Sequence, residues 1–189
     1  MYEYGMMLKK GEGVQQNVDE AVSLLKKSAS RGQADSMYQF GMMLLKGDCV
    51  PEDKNMSVHY LKKSSEKGQI DSMYEYGLML EKGEIVPENS EEAARYLKIS
   101  ADKGKVDSMY ELGMMLKKGD KIQRDIKRAA IYLNKAADNE HIDAMYEYGL
   151  MLEKGDGVAM NHKKAAKYLK DSADRGQIRS MLEYGLMLK

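Results

Sequence analysis

The sequence predicts an all-α fold, an α-solenoid coiled as a right-handed superhelix of 36-residue helix-turn-helix hairpins, with about 11 helices. Three observations in the 189 residues predict it. Every glycine lies on a single grid with a 36-residue spacing. Apolar residues recur at helical spacing within each period. Capping residues recur at fixed places between the apolar segments.

The grid accounts for all 17 glycines in four columns. Gly5, Gly41, Gly77, Gly113, Gly149 and Gly185 make the first. Gly11, Gly47, Gly83, Gly119 and Gly155 make the second, and Gly32, Gly68, Gly104 and Gly176 the third, which Glu140 interrupts. Gly13 and Gly157 complete the set. Leu25, Leu61, Leu97, Leu133 and Leu169 keep the same register, as do Met7, Met43, Met79, Met115, Met151 and Met187. The skewed composition, 17 Met and 13 Tyr with one Phe and no Trp, follows from repeating one short unit. The boundaries are a truncated first repeat 1–34, repeats 35–70, 71–106, 107–142 and 143–178, and a terminal half-repeat helix 179–189, all in one array.

Residues 35–70 show each element. Asp35 is the expected N-cap of the first helix, and Met37, Phe40 and Leu44 follow the i, i+3, i+7 pattern of a buried helical face. Gly47 ends that helix as a left-handed C′ residue. A loop with Val50 and Pro51 leads to Asp53, the N-cap of the second helix; Asn17, Asn89, Asp125 and Asn161 hold that place elsewhere. Asn17–Glu20 and Asn89–Glu92 have capping-box spacing. Val58 and Leu61, with Ala29 and Ala101 in other repeats, form the second buried face, which Gly68 closes. Gly41 and its equivalents lie inside the first helix, where glycine costs about 1 kcal/mol relative to alanine. Close approach of the partner helix is the expected offset.

The string from Asp35 to Asp53, and the run that follows it to Gln69, resembles the Sel-one-like repeat, a relative of the tetratricopeptide repeat. The matching positions are Phe40-Gly41, Gly47, Val50, Asp53, Tyr60 and Gly68, and Lys154-Gly155-Asp156-Gly157-Val158 matches the loop signature closely. The resemblance covers essentially the whole chain. It departs where the leading alanine is Ser36, Ser72, Ser108 and Ser180, where the tyrosine after the glycine is Leu44, and where the loop's second glycine is Cys49, Ile85 or Lys121. The resemblance implies a scaffold or adaptor that gathers other proteins.

Composition narrows the function. Thirty basic and thirty acidic residues cancel, so no bulk field draws nucleic acid or anionic membranes. No stretch approaches the ~20 apolar residues of a membrane span, and no signal peptide opens the sequence. The lone Cys49 favours a reducing, cytoplasmic setting. No metal, cofactor or catalytic cluster is evident. His59, His141 and His162 read as surface residues. A hydrolase pairing Cys49 with His59 is a weaker reading, and Gly11-Glu12-Gly13-Val14 lacks the Lys-Ser/Thr of a phosphate loop.

The expectation is therefore no enzyme, but a scaffold binding a partner protein or peptide on the concave surface lined by first helices. The alternative is a regulatory repeat segment of a larger protein with a separate catalytic domain. Groove-facing positions in repeat 35–70 are Asp35, Tyr38, Gln39, Met42, Leu45 and Lys46. They belong to a tyrosine column (Tyr2, Tyr38, Tyr74, Tyr110, Tyr146) beside a Met/Leu column, between acidic and lysine columns. The candidate binding residues are Tyr38, Met42, Tyr74, Glu75, Tyr110, Glu111, Met114, Lys117, Tyr146 and Glu147. The tyrosines are open to a second reading as packing between hairpins, because the column hardly varies. Leu45, Glu81, Lys117 and Glu153 do vary, and selectivity is expected there. The last helix, with Met181, Leu182 and Leu186, leads to the further expectation of a longer array or of end-to-end self-association.

Overall fold

A computed structural model describes residues 1–188, and among them are eleven helices and no strand. The first helices of the repeats, termed A helices, are α1 (Tyr2–Lys10), α3 (Ala34–Lys46), α5 (Ile70–Lys82), α7 (Val106–Lys118), α9 (Ile142–Lys154) and α11 (Ile178–Met187). The B helices are α2 (Val18–Ser30), α4 (Lys54–Glu66), α6 (Ser90–Asp102), α8 (Ile126–Asp138) and α10 (His162–Asp174). The chain forms two compact units, unit 1 from Met1 to Tyr96 and unit 2 from Leu97 onward. Within each, A and B helices alternate as stacked hairpins.

The A helix ends as its glycine dictates. Gly47 adopts φ 66°, and Gly11, Gly83, Gly119 and Gly155 adopt the same left-handed geometry, their N–H groups returning to the helix's last turn. Each B helix then starts at its Asn or Asp, whose side chain accepts a hydrogen bond from the backbone three residues on, as Asp53 Oδ1 does from the Met56 N–H at 2.9 Å. The backbone N–H of the same residue donates to a leucine carbonyl in the preceding A helix, Asp53 to Leu44 at 3.0 Å, and this clamp recurs in all five hairpins. At Asn17 and Asn89 the capping box is altered. The glutamate accepts from the asparagine side-chain amide, because the backbone N–H is already committed to the clamp.

The A helices begin earlier than the sequence suggests. The N-cap of α3 is Gln33, whose side-chain oxygen accepts from the Ser36 N–H; Asp35 lies inside the first turn and accepts from the Gln33 side chain at 2.9 Å. Gln69 repeats the arrangement, Gln177 caps α11 by accepting from the Arg179 N–H while its amide donates to Asp143, and His141 caps α9 through Nδ1, which accepts from the Ala144 N–H at 3.2 Å. Glutamine's extra methylene lets it reach back from this place, and the aspartate instead favours the helix dipole from within the turn.

Close helix approach explains the mid-helix glycines. A β-carbon on Gly41 would lie 3.1 Å from Leu61 Cγ, on Gly113 2.8 Å from Leu133 Cγ, and on Gly149 2.9 Å from Leu169 Cγ. Those leucines are completely buried. Aromatic edges support the same seam, with Phe40 against Tyr60 and Tyr148 against Tyr168, centroids 5.2 and 5.4 Å apart. Tyr168 also donates to Asp138 on the preceding B helix.

Ser72, Ser108 and Ser180, three of the four serines that replace the family's alanine, form buried clasps, and Ser36 does not. Ser72 Oγ lies 2.7 Å from Ser64 Oγ, and Ser64 donates to the Ala34 carbonyl at 2.7 Å. Ser108 meets Ser100 and Ser180 meets Ser172 the same way, both at 2.8 Å. Where the leading residue is Ala144, the partner position is Ala136, and both are buried. At these places the hydroxyls enter or leave as pairs, whereas the buried Ser36 and Ser57 hydroxyls have no hydrogen-bond partner.

Candidate functional site

The A helices divide cleanly by face. In α3, Met37, Phe40, Met43 and Leu44 are buried, while Tyr38, Gln39, Met42 and Leu45 are half-buried on the other side. Every tyrosine of the row Tyr2, Tyr38, Tyr74, Tyr110 and Tyr146 is half-buried, as are Met42, Leu78, Met114 and Leu150. Their chain neighbours Met37, Met73, Met109 and Met145 are 5–8% exposed. The row therefore stands against the core with one side open: Tyr110 and Met114 pack on the Met109–Met145 cluster and keep partial exposure.

The candidate residues fall into two sets. Tyr38, Met42, Tyr74 and Glu75 lie in unit 1, and Tyr110, Glu111, Met114, Lys117, Tyr146 and Glu147 in unit 2. In unit 2, Lys117 on α7 bonds Glu147 on α9 across half-buried surface. Burial pushes the Tyr110 phenol up to about 12, with Asp143, Glu147 and Glu111 reinforcing the shift. Tyr2 is raised by burial and by Asp35, Glu3 and Asp71, and Tyr146 by burial and by Glu183 and Glu147. Each of these phenols is held neutral beside carboxylates, ready to donate a hydrogen bond. The lysine column Lys10, Lys46, Lys82, Lys118 and Lys154 is exposed.

One contributor escapes the sequence reading. His141 is not a surface residue; its side chain is only 18% exposed, and its ring stacks on Tyr110 with centroids 4.4 Å apart. The signal was its place in the glutamine column of Gln33, Gln69 and Gln177. His59 and His162 are exposed. Cys49 is exposed too, at φ 63°, and its sulfur partner is Asp48 Oδ1 at 3.1 Å. That carboxylate pushes the thiol up, the reverse of what a nucleophile needs. Among the described residues no group of three or more His, Cys, Asp or Glu could hold a metal ion, and no helix is long and apolar enough to cross a membrane.

Comparison with known proteins supplies the family. A family model described as the Sel1 repeat matches residues 1–33, 34–69, 70–105, 106–141 and 142–177. No curated protein matches the chain. Among solved structures, a protective antigen of uropathogenic Escherichia coli strains with an SLR fold is 26% identical, with TM-score 0.92 over 99% of this chain; the chain spans 40% of that protein. A Sel1 repeat protein from Oxalobacter formigenes is 25% identical, with TM-score 0.86, and the match covers 98% of this chain and 76% of that one. Helicobacter pylori cysteine rich protein B shares the fold at 22% identity and TM-score 0.54, over 71% of this chain and 97% of its own. Proteins built from such repeats generally act as interaction scaffolds. With its five matched repeats and this hairpin architecture, the chain belongs to the Sel1 repeat family.

Proposed function

We propose that the chain is a non-catalytic scaffold that binds an extended or helical segment of a partner protein on the open face of its A helices. The half-buried tyrosine row carries the reading. A side chain kept for packing alone would be driven to the burial of Met37, Met73, Met109 and Met145 on the same helices. These tyrosines instead keep an open side next to adaptable Met and Leu. Tyrosine offers large contact area with little rotamer entropy to lose, and methionine adjusts to the partner's shape. Peptide display against the intact chain tests it. Tyr74→Ala and Tyr110→Ala together should abolish capture while helicity is kept; undiminished capture would remove the tyrosines from the site.

A second reading concerns α11, where Ile178, Leu182 and Leu186 are 78%, 64% and 53% exposed and a β-carbon on Gly185 would meet nothing within 4 Å. This face suits self-association. Light scattering across a concentration series, with Leu182→Glu and Leu186→Glu as control, should show a dimer that the substitutions dissolve; a monomer throughout refutes it.

A further inference from the structure

Two positions of the repeat leave its pattern together. The residue before the last of an A helix, and the loop residue 40 positions on in the following repeat, are Lys9 and Cys49, Leu45 and Ile85, Glu81 and Lys121, and Lys117 and Gly157 in the successive copies. Only in the second copy are both large and apolar. Lys9 and Lys117 each bridge to the next repeat by an ion pair, to Asp48 at 2.6 Å and to Glu147. Leu45 brings no charge for such a bridge, and a cavity of about 340 Å³ stands open beside it, within unit 1. Its apolar wall is Leu45, Leu78, Met79 and Ile85. The loop is rerouted at Ile85. Gly13, Cys49 and Gly157 hold that place at φ 73°, 63° and 73°, a left-handed conformation that a β-branched residue avoids, and Ile85 lies outside it, half-buried. Two residues distant in sequence, each exceptional in its column, thus converge on one cavity.

We propose that this cavity is the pocket for one leucine-sized, uncharged apolar side chain of the bound partner segment. The charge around it selects that occupant. Lys54, Lys82, Glu75 and Glu84 form the rim, two charges of each sign, so a charged side chain would meet as much repulsion as attraction. What the rim leaves to be covered is hydrocarbon, and covering it is favourable whatever the salt. An apolar wall inside a wet, charge-balanced rim has the anatomy of an interface anchor. The volume is near the lower end of ligand pockets, which run from about 300 Å³ upward. The pocket is continuous with the open face: Leu78 belongs to the half-buried Met/Leu column and follows Tyr74 by one helical turn. The proposal rests on the partner-binding reading above and adds the chemistry of one anchor. It also gives one reason for both departures from the repeat, because the polar residues found at these two places in other copies would bridge the cavity or wet its wall.

The experiment is an NMR titration of the intact chain, methyl-labelled at Ile, Leu and Met, with blocked tripeptides whose central residue is leucine, alanine, lysine or glutamate between two alanines. The expected result is saturable shifts at the methyls of Leu45, Leu78, Met79 and Ile85. The leucine peptide should bind roughly tenfold tighter than the alanine one, the ratio for burying about half of leucine's three extra carbons. The lysine and glutamate peptides should both bind more weakly than leucine, and the leucine preference should persist in about 0.5 M salt, where exposed charges are screened. Leu45→Lys and Ile85→Lys together should erase the preference without lowering the melting temperature, because Lys9, Lys117 and Lys121 are native to those columns. Equal binding of the alanine peptide, tighter binding of either charged peptide, an unchanged preference in the double variant, or no saturable shift at these methyls would each overturn the proposal. If displayed peptides are captured through Tyr74 while the double variant changes nothing, the pocket alone falls and the scaffold reading stands. If neither matters, both fall.

Discussion

The serine clasp between α4 and α5 gives the sharpest stability prediction. Ser64 accepts from Ser72 and donates to the Ala34 carbonyl, and both serines are fully buried. Ser72→Ala leaves Ser64 its carbonyl partner. It loses one hydrogen bond, about 1 kcal/mol, and regains about 0.5 kcal/mol of helix propensity, a net cost near 0.5 kcal/mol. Ser64→Ala orphans the Ser72 hydroxyl in the interior, a cost of about 1–3 kcal/mol less the same propensity gain. The double variant has no orphan and reproduces the Ala136/Ala144 pair found in this chain, so its cost should lie within about 0.5 kcal/mol of Ser72→Ala alone. The cycle should therefore return a coupling of about 1 kcal/mol. Urea unfolding followed by circular dichroism reads it, with the slope checked because stacked repeats can unfold in more than one step. A double variant that costs the sum of the two singles would refute the clasp.

Other expectations follow from single positions. Glu140 sits at φ 67° in a column that is otherwise glycine, held by Arg175 at 3.0 Å on exposed surface. Glu140→Gly should stabilise by about 0.5–1 kcal/mol in a thermal melt, because the left-handed strain outweighs an exposed ion pair. Gly113→Ala puts a β-carbon 2.8 Å from Leu133 Cγ and should cost about 1–3 kcal/mol, whereas Gly185→Ala meets nothing within 4 Å and should be neutral or stabilising. Ultraviolet titration should show Tyr110 ionising near 12, later than an ordinary phenol. Because its folded value is raised, the associated stability is complete below about pH 10 and is lost as pH climbs through 12; Tyr110→Phe should remove that part of the loss.

Most of the fold was legible because one hairpin is written out five times. Glycine, leucine and Asn/Asp columns each state a local need, and the structure meets them at the same places. The A-helix start was misread for a physical reason: aspartate is the stronger intrinsic cap, yet Gln33 can reach the Ser36 N–H and Asp35 is already inside the turn. The serine pairing was written in the sequence as well, since Ala136 and Ala144 change together, but reading it required knowing that residues eight apart across the turn touch. The cavity beside Leu45 was less accessible. Its meaning depends on the 30-residue offset at which neighbouring elements meet, seen in Lys117–Glu147, Tyr168–Asp138 and Ser172–Ile142. Helix packing sets that offset, and no single column displays it. The variable position itself was visible, and the cavity beside it was not.

The central claim is that partners bind on the open face of the A helices. Cross-saturation NMR on the intact chain, with a peptide obtained by display, maps the bound surface directly. The account predicts a footprint on Tyr38, Tyr74 and Leu78 in unit 1 or on Tyr110, Met114 and Tyr146 in unit 2. A footprint confined to the B helices, around Lys62, Lys98 or Lys135, would contradict it.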